Sequence, residues 1–191
     1  MDSALKALYA DYGEALMRDG VASLSDRGLA DDLVQETMLK AWWHCATFRG
    51  DSELFPWLKT ILRRGMIDLL RLRRVEVPLS ASGEGVDPEV DEALLAWRGA
   101  ADATPDALLH SKQAEACFRA CAARFAKDHP IAAAVMRWVI EDGLGPAELA
   151  PLLDRTPGAT REYLSKCRIK ARVYFAEWYA LTLDRSPGTK A

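Results

Sequence analysis

Residues 31–74 read DDLVQETMLKAWWHCATFRGDSELFPWLKTILRRGMIDLLRLRR, and the organisation of the chain starts from them. The stretch begins acidic, becomes apolar and aromatic, passes through the polar loop FRGDS and ends strongly basic. This pattern predicts two helices joined by a loop, with opposite charges at the two ends. The acidic end suits a protein surface, and the basic end, which has aromatic side chains nearby, suits nucleic acid. Two different partners are therefore indicated.

The acidic half predicts a helix from about residue 29 to residue 46. Its apolar period assigns the buried side to Leu33, Val34, Thr37, Met38, Ala41 and Trp42. Its first two turns carry a polar cluster, Asp31, Asp32, Gln35 and Glu36. Acidic residues at a helix start complement the helix macrodipole, and this accounts for one or two of the carboxylates. A docking site for a protein partner is the other interpretation of the cluster.

The basic half predicts a helix that starts beside Pro56, which is tolerated only in a first turn, and ends near Arg74. Its core face is Leu58, Ile61, Leu62, Met66, Leu69 and Leu70. Another side carries Trp57, Thr60, Arg64 and Arg71. There, an indole can stack on an unpaired base while guanidinium groups hold phosphates. The alternative is that Trp57 belongs to the core and the arginines form an ordinary solvated face.

The composition fits one large domain or two small ones. The chain has 191 residues, of which 50% are hydrophobic and 28% charged, which is enough for a core and excludes wholesale disorder. The net charge of -3 conceals segregated charge, and a local basic patch still attracts nucleic acid. No run of about 18 apolar residues and no basic-then-apolar leader occurs, so we expect a cytoplasmic protein without membrane insertion.

The four cysteines show no paired Cys-x-x-Cys spacing, and reduced thiols are the simplest interpretation. Cys117 and Cys121 lie four residues apart on a predicted helix, and His110 precedes Cys117 by seven. A metal site is one interpretation of this spacing. Burial as small apolar residues is the preferred one, so neither a metal nor a cofactor is expected.

Strand patterns are nearly absent from the chain, and Ala, Leu, Glu, Arg and Lys dominate, so the predicted fold class is all-α. Residues 75–105 are rich in Gly, Pro, Ser and acids and are typical of a flexible acidic linker. We therefore predict two small helical domains, at 1–74 and 106–183, and a frayed tail at 184–191.

The second domain contains the order short helix, tight turn, longer helix. Helices are predicted over 3–18, 106–127, 131–140, 146–153 and 159–183, with a loop at 19–28 and a turn at 154–158. The last two helices match the helix-turn-helix pattern, which serves DNA binding but also plain scaffolding. The basic residues clustered early in the long helix favour DNA binding. The residues of that helix that can face the core are Leu164, Ile169, Val173 and Trp178.

Three segments resemble the extracytoplasmic-function (ECF) class of bacterial sigma factors: ADDLVQETMLKAW, FRGDSELFPWLKTILRRGMIDLLRLRR and, more loosely, GLGPAELAPLLDRTPGATREYLSKCRIKAR. The first two form a long and ordered match. The resemblance implies that 1–74 is a sigma-two-like bundle of three to four helices and that 106–183 is a sigma-four-like helix-turn-helix domain. The implied function is to bind core RNA polymerase and direct promoter-specific transcription initiation.

The resemblance also implies residue roles. The acidic helix would dock on the clamp coiled coil of the polymerase β′ subunit, in a complex that also includes the β subunit, through Asp31, Asp32, Gln35 and Glu36. The loop and the next helix would capture a flipped base of the −10 element and hold the melted strand through Phe48, Arg49, Gly50, Asp51, Ser52, Trp57, Lys59, Arg63 and Arg64. The second domain would read the −35 element through Thr160, Arg161, Glu162, Lys166 and Arg168.

Departures from the family pattern concentrate in the second domain. Arg64 stands where many relatives carry Asn, whereas the other departures are Gly145, Pro151, Arg155 and Tyr163. Pro151 removes a backbone donor inside the short helix and strains its turn. We therefore predict an unusual −35 preference or a weakened dependence on the −35 element.

The expected function is that of a non-catalytic specificity subunit, since no metal triad, nucleotide-binding glycine loop or nucleophile–base pair is visible in the sequence. Expected partners are core RNA polymerase, promoter DNA and an anti-sigma factor, without a small-molecule substrate. The alternative is a sigma mimic or other interaction protein that occupies an anti-sigma factor without binding DNA. The basic and aromatic residues that suit DNA binding are present, which argues against a mimic. The acidic helix argues against a one-piece helix-turn-helix regulator. An enzyme is the least favoured class.

Overall fold

The structure is a computed structural model that describes residues 3–45, 48, 53–73 and 105–183. Within these ranges it contains eight helices and no strand, which confirms the all-α prediction. The helices are α1 (Ser3–Leu24), α2 (Arg27–Trp43), α3 (Leu54–Arg73), α4 (Pro105–Asp128), α5 (Pro130–Asp142), α6 (Pro146–Leu153), α7 (Pro157–Tyr174) and α8 (Ala176–Leu183). Outside the described residues lie the predicted linker up to residue 104, the loop residues 49–52 and the tail at 184–191.

The first helix is longer than predicted, because α1 continues through residues 19–24, which the sequence assigned to a loop. Glycine usually weakens a helix, but Gly20 lies within α1 and is buried. A Cβ at this position would lie 3.1 Å from the Cβ of Ala30. Its missing side chain lets α1 and α2 approach closely. The connection is short, since Ser25 takes a φ of 54° and the Asp26 carboxylate accepts a backbone N–H of α2 at 3.1 Å.

The buried faces of α2 and α3 hold the first three helices together. The buried residues of α2 are Ala30, Leu33, Val34, Thr37, Met38 and Ala41, which is the predicted set with Ala30 in place of Trp42. The buried residues of α3 are Leu58, Leu62, Arg63, Gly65, Met66, Ile67 and Leu70, so Ile67 replaces the predicted Ile61 and Leu69. Each buried aliphatic side chain contributes about 1.5–3 kcal/mol relative to exposure. The interface is tight, since a Cβ on Gly65 would lie 2.7 Å from Leu33 Cδ1.

The packing divides the chain into two compact units. The first contains α1–α3 together with Gly145–Thr160, that is, α6 and the first turn of α7, and the second contains α4, α5 and the chain from Arg161. Within the first unit, Arg71 of α3 reaches the end of α6. Its guanidinium donates to Asp154 Oδ2 at 2.8 Å and to the Leu153 carbonyl at 3.0 Å. The domain boundaries drawn from the sequence stay a prediction.

The second unit is built around aromatic packing. Phe125 of α4 and Cys167 of α7 belong to a buried cluster that also includes Ala132. Phe118 packs against Phe175 and Trp178, with ring centroids 5.2 and 5.4 Å apart. The C-terminal helix is therefore held to α4 mainly through apolar and aromatic contacts.

The long final helix predicted from the sequence is two helices. Helical hydrogen bonds are kept on both sides of Phe175, so the interruption between α7 and α8 is confined to this one residue. Leu164 and Trp178 are buried as predicted, whereas Val173, predicted to face the core, is 71% exposed. The side facing α4 is taken at this point by Tyr174 and Phe175, whose rings pack on Phe125.

Candidate functional site

The acidic residues of α2 lie beyond the helix start. Asp26 is the N-cap, so the first turn begins at Arg27 and contains no acidic residue. Asp31, Asp32 and Glu36 therefore lie in the second and third turns, where the macrodipole acts weakly on carboxylates. The helix-start explanation of this cluster loses its basis, and a surface for a partner stays a prediction.

The exposed side of α2 continues from these acids to two large apolar residues. Leu39 is 43% exposed and Trp43 is 72% exposed. They follow Glu36 by three and seven residues and thus lie on the same side of the helix. We call the set the α2 face; its members are Asp31, Asp32, Gln35, Glu36, Leu39 and Trp43. The spacing of Trp43 from Glu36 was the available signal, but the sequence analysis assigned a role to neither Leu39 nor Trp43.

Contacts within the α2 face are local. Gln35 Nε2 donates to Asp31 Oδ2 at 2.9 Å, and Lys40 pairs with Glu36 at 2.8 Å. Both pairs are four residues apart on one helix and exposed, so each contributes about 0.2–0.5 kcal/mol. A docking partner can replace such contacts at little cost in free energy.

The predicted −10 site contains an aromatic pair, Phe48 and Trp57. Their ring centroids are 5.2 Å apart with a tilt of 48° between the planes. Both side chains are half-buried, so each ring keeps some surface for a ligand. The neighbouring predicted residues Arg49, Gly50, Asp51 and Ser52 lie outside the described residues.

The basic residues of α3 that were predicted to bind DNA occupy three different environments. Lys59 is half-buried, with its ammonium 3.1 Å from Asp19 Oδ2 and 5.7 Å from the centre of the Phe55 ring. Arg63 is 7% exposed and so offers little surface to a phosphate. Arg64 is exposed. Of the three, Arg64 is the one that this helix presents directly to solvent.

The turn between α6 and α7 is well capped. Asp154 ends α6 with a left-handed φ of 54°. Thr156 then caps α7, since its Oγ1 accepts from Ala159 N–H at 3.2 Å, and Pro157 fills the first helical position. The sequence prediction started this helix two residues late, at Ala159. The cap and the proline form a standard start signal that the prediction overlooked.

Two departures in the helix-turn-helix have modest structural effects. Gly145, at the start of α6, has no capping side chain, but its N–H donates to Glu148 Oε2 at 2.8 Å. Pro151 is exposed, and α6 runs through it from Pro146 to Leu153. Pro151 has no N–H to donate to the carbonyl of Ala147, but the helix continues past it to Leu153, so the proline does not break α6.

The predicted −35 residues of α7 divide by exposure. Thr160 is fully buried and donates its hydroxyl to the Thr156 carbonyl at 2.9 Å, so it has no side-chain surface for a base. Arg161 and Glu162 are exposed, whereas Lys166 and Arg168 are half-buried. The Lys166 ammonium lies 2.6 Å from Glu162 Oε1. Arg161 is thus the most accessible cation among them, and the recognition roles stay predictions.

None of the helices in the part of the chain that the structure describes is long and apolar enough to cross a membrane.

Comparison with known proteins finds similarity in the α1–α3 region. Residues 8–75 match Sigma-70 region 2. The chain is 33% identical over 73 residues to the ECF RNA polymerase sigma factor SigM of Bacillus subtilis (strain 168), covering 38% of this chain and 44% of SigM. It is 32% identical over 87 residues to the ECF RNA polymerase sigma factor SigL of Mycobacterium tuberculosis (strain ATCC 25618 / H37Rv), covering 44% of this chain and 49% of SigL. Each match therefore spans about half the length of the relative.

Proposed function

We propose that the chain is a sigma factor of the ECF class, which binds core RNA polymerase and directs the enzyme to a subset of promoters; its similarity to Sigma-70 region 2 and to two ECF sigma factors supports the proposal. The observation that carries the proposal is the separation of two surfaces within the matched region. The α2 face is acidic and apolar, whereas the Phe48–Trp57 pair with Arg64 is aromatic and basic. A subunit that bridges a protein and a nucleic acid needs surfaces of these two kinds.

The α2 face has the composition of a protein-docking surface. An exposed tryptophan and leucine supply apolar area at one end, and carboxylates supply charge at the other. Interface cores favour aromatic anchors, and charged rims steer the approach of a partner of opposite charge. We assign this face to core polymerase, with the clamp coiled coil of the β′ subunit as the contact that the family resemblance implies. Leu39 and Trp43 extend the site beyond the four polar residues assigned from the sequence.

The aromatic pair has the chemistry needed to hold an extruded base. Unpairing and unstacking a base costs a few kcal/mol, and stacking on an aromatic side chain returns roughly 1–3 kcal/mol. Trp57 is the stacking residue in this proposal, with Phe48 packed against it at 5.2 Å. Arg64 holds a neighbouring phosphate. Lys59 joins only after its ammonium leaves Asp19, so its contribution is smaller.

The helix-turn-helix reads the −35 element in this proposal, chiefly through Arg161. An exposed arginine early in α7 can contact guanine in the major groove. Thr160 acts indirectly, because its buried hydroxyl holds the first turn of the helix. The polymerisation chemistry belongs to core polymerase, and the chain acts in the bacterial cytoplasm under the control of an anti-sigma factor.

Run-off transcription tests the proposal. The purified chain is mixed with core polymerase and sheared genomic DNA, and transcript starts are mapped. We expect starts that depend on the chain and share a common upstream sequence. If core binding is normal but no promoter-specific transcript appears without an inhibitor present, the sigma proposal is wrong and the mimic that sequesters an anti-sigma factor takes its place. A chain that binds neither core nor DNA also contradicts the sigma proposal and favours the mimic.

A further inference from the structure

Two cysteines of α4 and a glutamate of α8 come together in the second unit. Cys117 and Cys121 are four residues apart and lie on one face of α4. Glu177, near the start of α8, approaches them, and the two sulfurs and a carboxylate oxygen all lie within 4.8 Å of one another. The sequence prediction preferred burial as small apolar residues for these cysteines, and the third group it named for a metal site was His110 rather than Glu177.

A cation already contacts this cluster. The Nη2 atom of Arg124 donates to Glu177 Oε2 at 3.0 Å and to Cys121 Sγ at 3.4 Å. Cys121 is fully buried, whereas Arg124 and Glu177 are exposed, so the cluster opens to solvent on one side. The acceptors around the guanidinium are therefore arranged for a positive charge and can be reached by an ion.

We propose that Cys117, Cys121 and Glu177 bind one divalent cation of intermediate softness, such as Zn²⁺, after Arg124 swings out into solvent. Zinc bonds of about 2.3 Å to sulfur and 2.0–2.2 Å to oxygen place tetrahedral ligands about 3.5–3.8 Å apart, so the ligand atoms need to move by roughly 1 Å. Water fills the fourth position. Both cysteines lose their protons on binding, so the ion meets two thiolates and a carboxylate.

The donor set selects against hard cations. Mg²⁺ and Ca²⁺ prefer oxygen ligands, and this site offers one carboxylate with two sulfurs. An ion held by α4 and α8 would also link these two helices of the second unit. Binding to the folded state alone would therefore stabilise that unit by mass action. This inference is independent of the sigma proposal, because its test involves neither polymerase nor DNA.

Cobalt titration of the full, reduced chain tests the site. Co²⁺ is the probe, because thiolate ligands give it a charge-transfer band in the near ultraviolet and a tetrahedral site gives it intense visible bands. We expect one ion per chain, displacement by Zn²⁺ but not by Mg²⁺, and a higher Tm with Zn²⁺. C117S should weaken binding at least about tenfold. E177Q, at an exposed residue, keeps the core intact and should weaken binding as well.

Two further variants make the test specific. C45S removes an exposed thiol in the first unit and should leave the cobalt bands unchanged. R124A removes the competing guanidinium and should tighten binding about two- to fivefold, the range expected for loss of an exposed ion pair. Absence of the charge-transfer band, its persistence in both C117S and E177Q, or its loss in C45S would overturn the proposal.

Discussion

The α2–α3 region and the α6–α7 region differ in how far their predicted binding residues also serve the packing of the helices. In α2–α3, the buried and exposed sides are separate, so the α2 face and Arg64 lie over a core that other residues supply. In α6–α7, residues of the turn and of α7 also stabilise the local structure. Thr156 caps a helix, Thr160 is buried, and Lys166 is paired with Glu162. The first region can change partner contacts without changing its packing, whereas the second region cannot do so as freely.

The largest expected effect concerns packing. Leu58 of α3 and Leu149 of α6 are both fully buried in the first unit. L58A and L149A should each destabilise the chain by about 2–5 kcal/mol, since truncation leaves a cavity. Urea unfolding should show both variants shifting the same transition. If L149A instead shifts a transition that L58A leaves unchanged, α6 unfolds separately from α1–α3.

Charge reversal on α2 should produce the next largest effect. The double variant D32K/E36K places like charges opposite a basic partner, so its affinity for core polymerase should fall by on the order of 100-fold. Fluorescence anisotropy of the labelled chain measures this affinity. D11K/E14K is the matched control, because it changes the net charge equally and Asp11 and Glu14 are exposed acids on α1 outside the α2 face. Equal losses in the control and the double variant would show a net-charge effect rather than a docking face.

Replacing Trp57 should affect DNA rather than polymerase. W57A removes a stacking surface worth roughly 1–3 kcal/mol, so promoter opening should fall by about 5- to 100-fold. A fluorescent adenine analogue in the −10 element reports the opening. W43A is the control on the α2 face, and its loss should appear in core binding. If the W57A variant opens promoters normally, the Trp57 indole is not part of the DNA-binding site.

The helix-turn-helix should be less sensitive. R161A should weaken the affinity for −35-dependent promoters by about 1–2 kcal/mol, because it removes a contact between an exposed arginine and a DNA base. Transcription from these promoters should fall accordingly. K166A should cost less, since the ammonium is already paired with Glu162 at 2.6 Å. Promoter titrations at fixed salt measure both. Unchanged transcription for both variants would show that α7 reads little DNA.

The smallest effect concerns pH and the second unit. Burial, followed by a 2.8 Å hydrogen bond from the phenol to Asp128, raises the pKa of Tyr174 above its ordinary value near 10. The neutral phenol is thus favoured by folding, so its contribution is present at neutral pH and is lost as the pH rises above about 10. Y174F should cost about 1 kcal/mol at neutral pH and flatten the alkaline decline in Tm. An unchanged alkaline decline in Y174F would assign it to another group.

Periodicity alone predicted most of the helices and the buried side of α2. It could not predict the extent of α1, because Gly20 serves a close helix contact that depends on Ala30. Nor could it place Arg63, which belongs to the buried side of α3 despite its charge. The meeting of Cys121 with Glu177 depends on contacts between distant segments, and the local sequence carries no signal for it.

A rescue experiment tests most directly the central claim that two surfaces of the matched region serve two partners. Transcription from one mapped promoter is measured for D32K/E36K and W57A over a wide range of core polymerase concentration. Saturating core should restore D32K/E36K to nearly normal activity, because only the first association is weakened. It should leave W57A defective, because promoter opening follows that association. Rescue of both variants, or of neither, would contradict the assignment of separate partners to the α2 face and to Trp57.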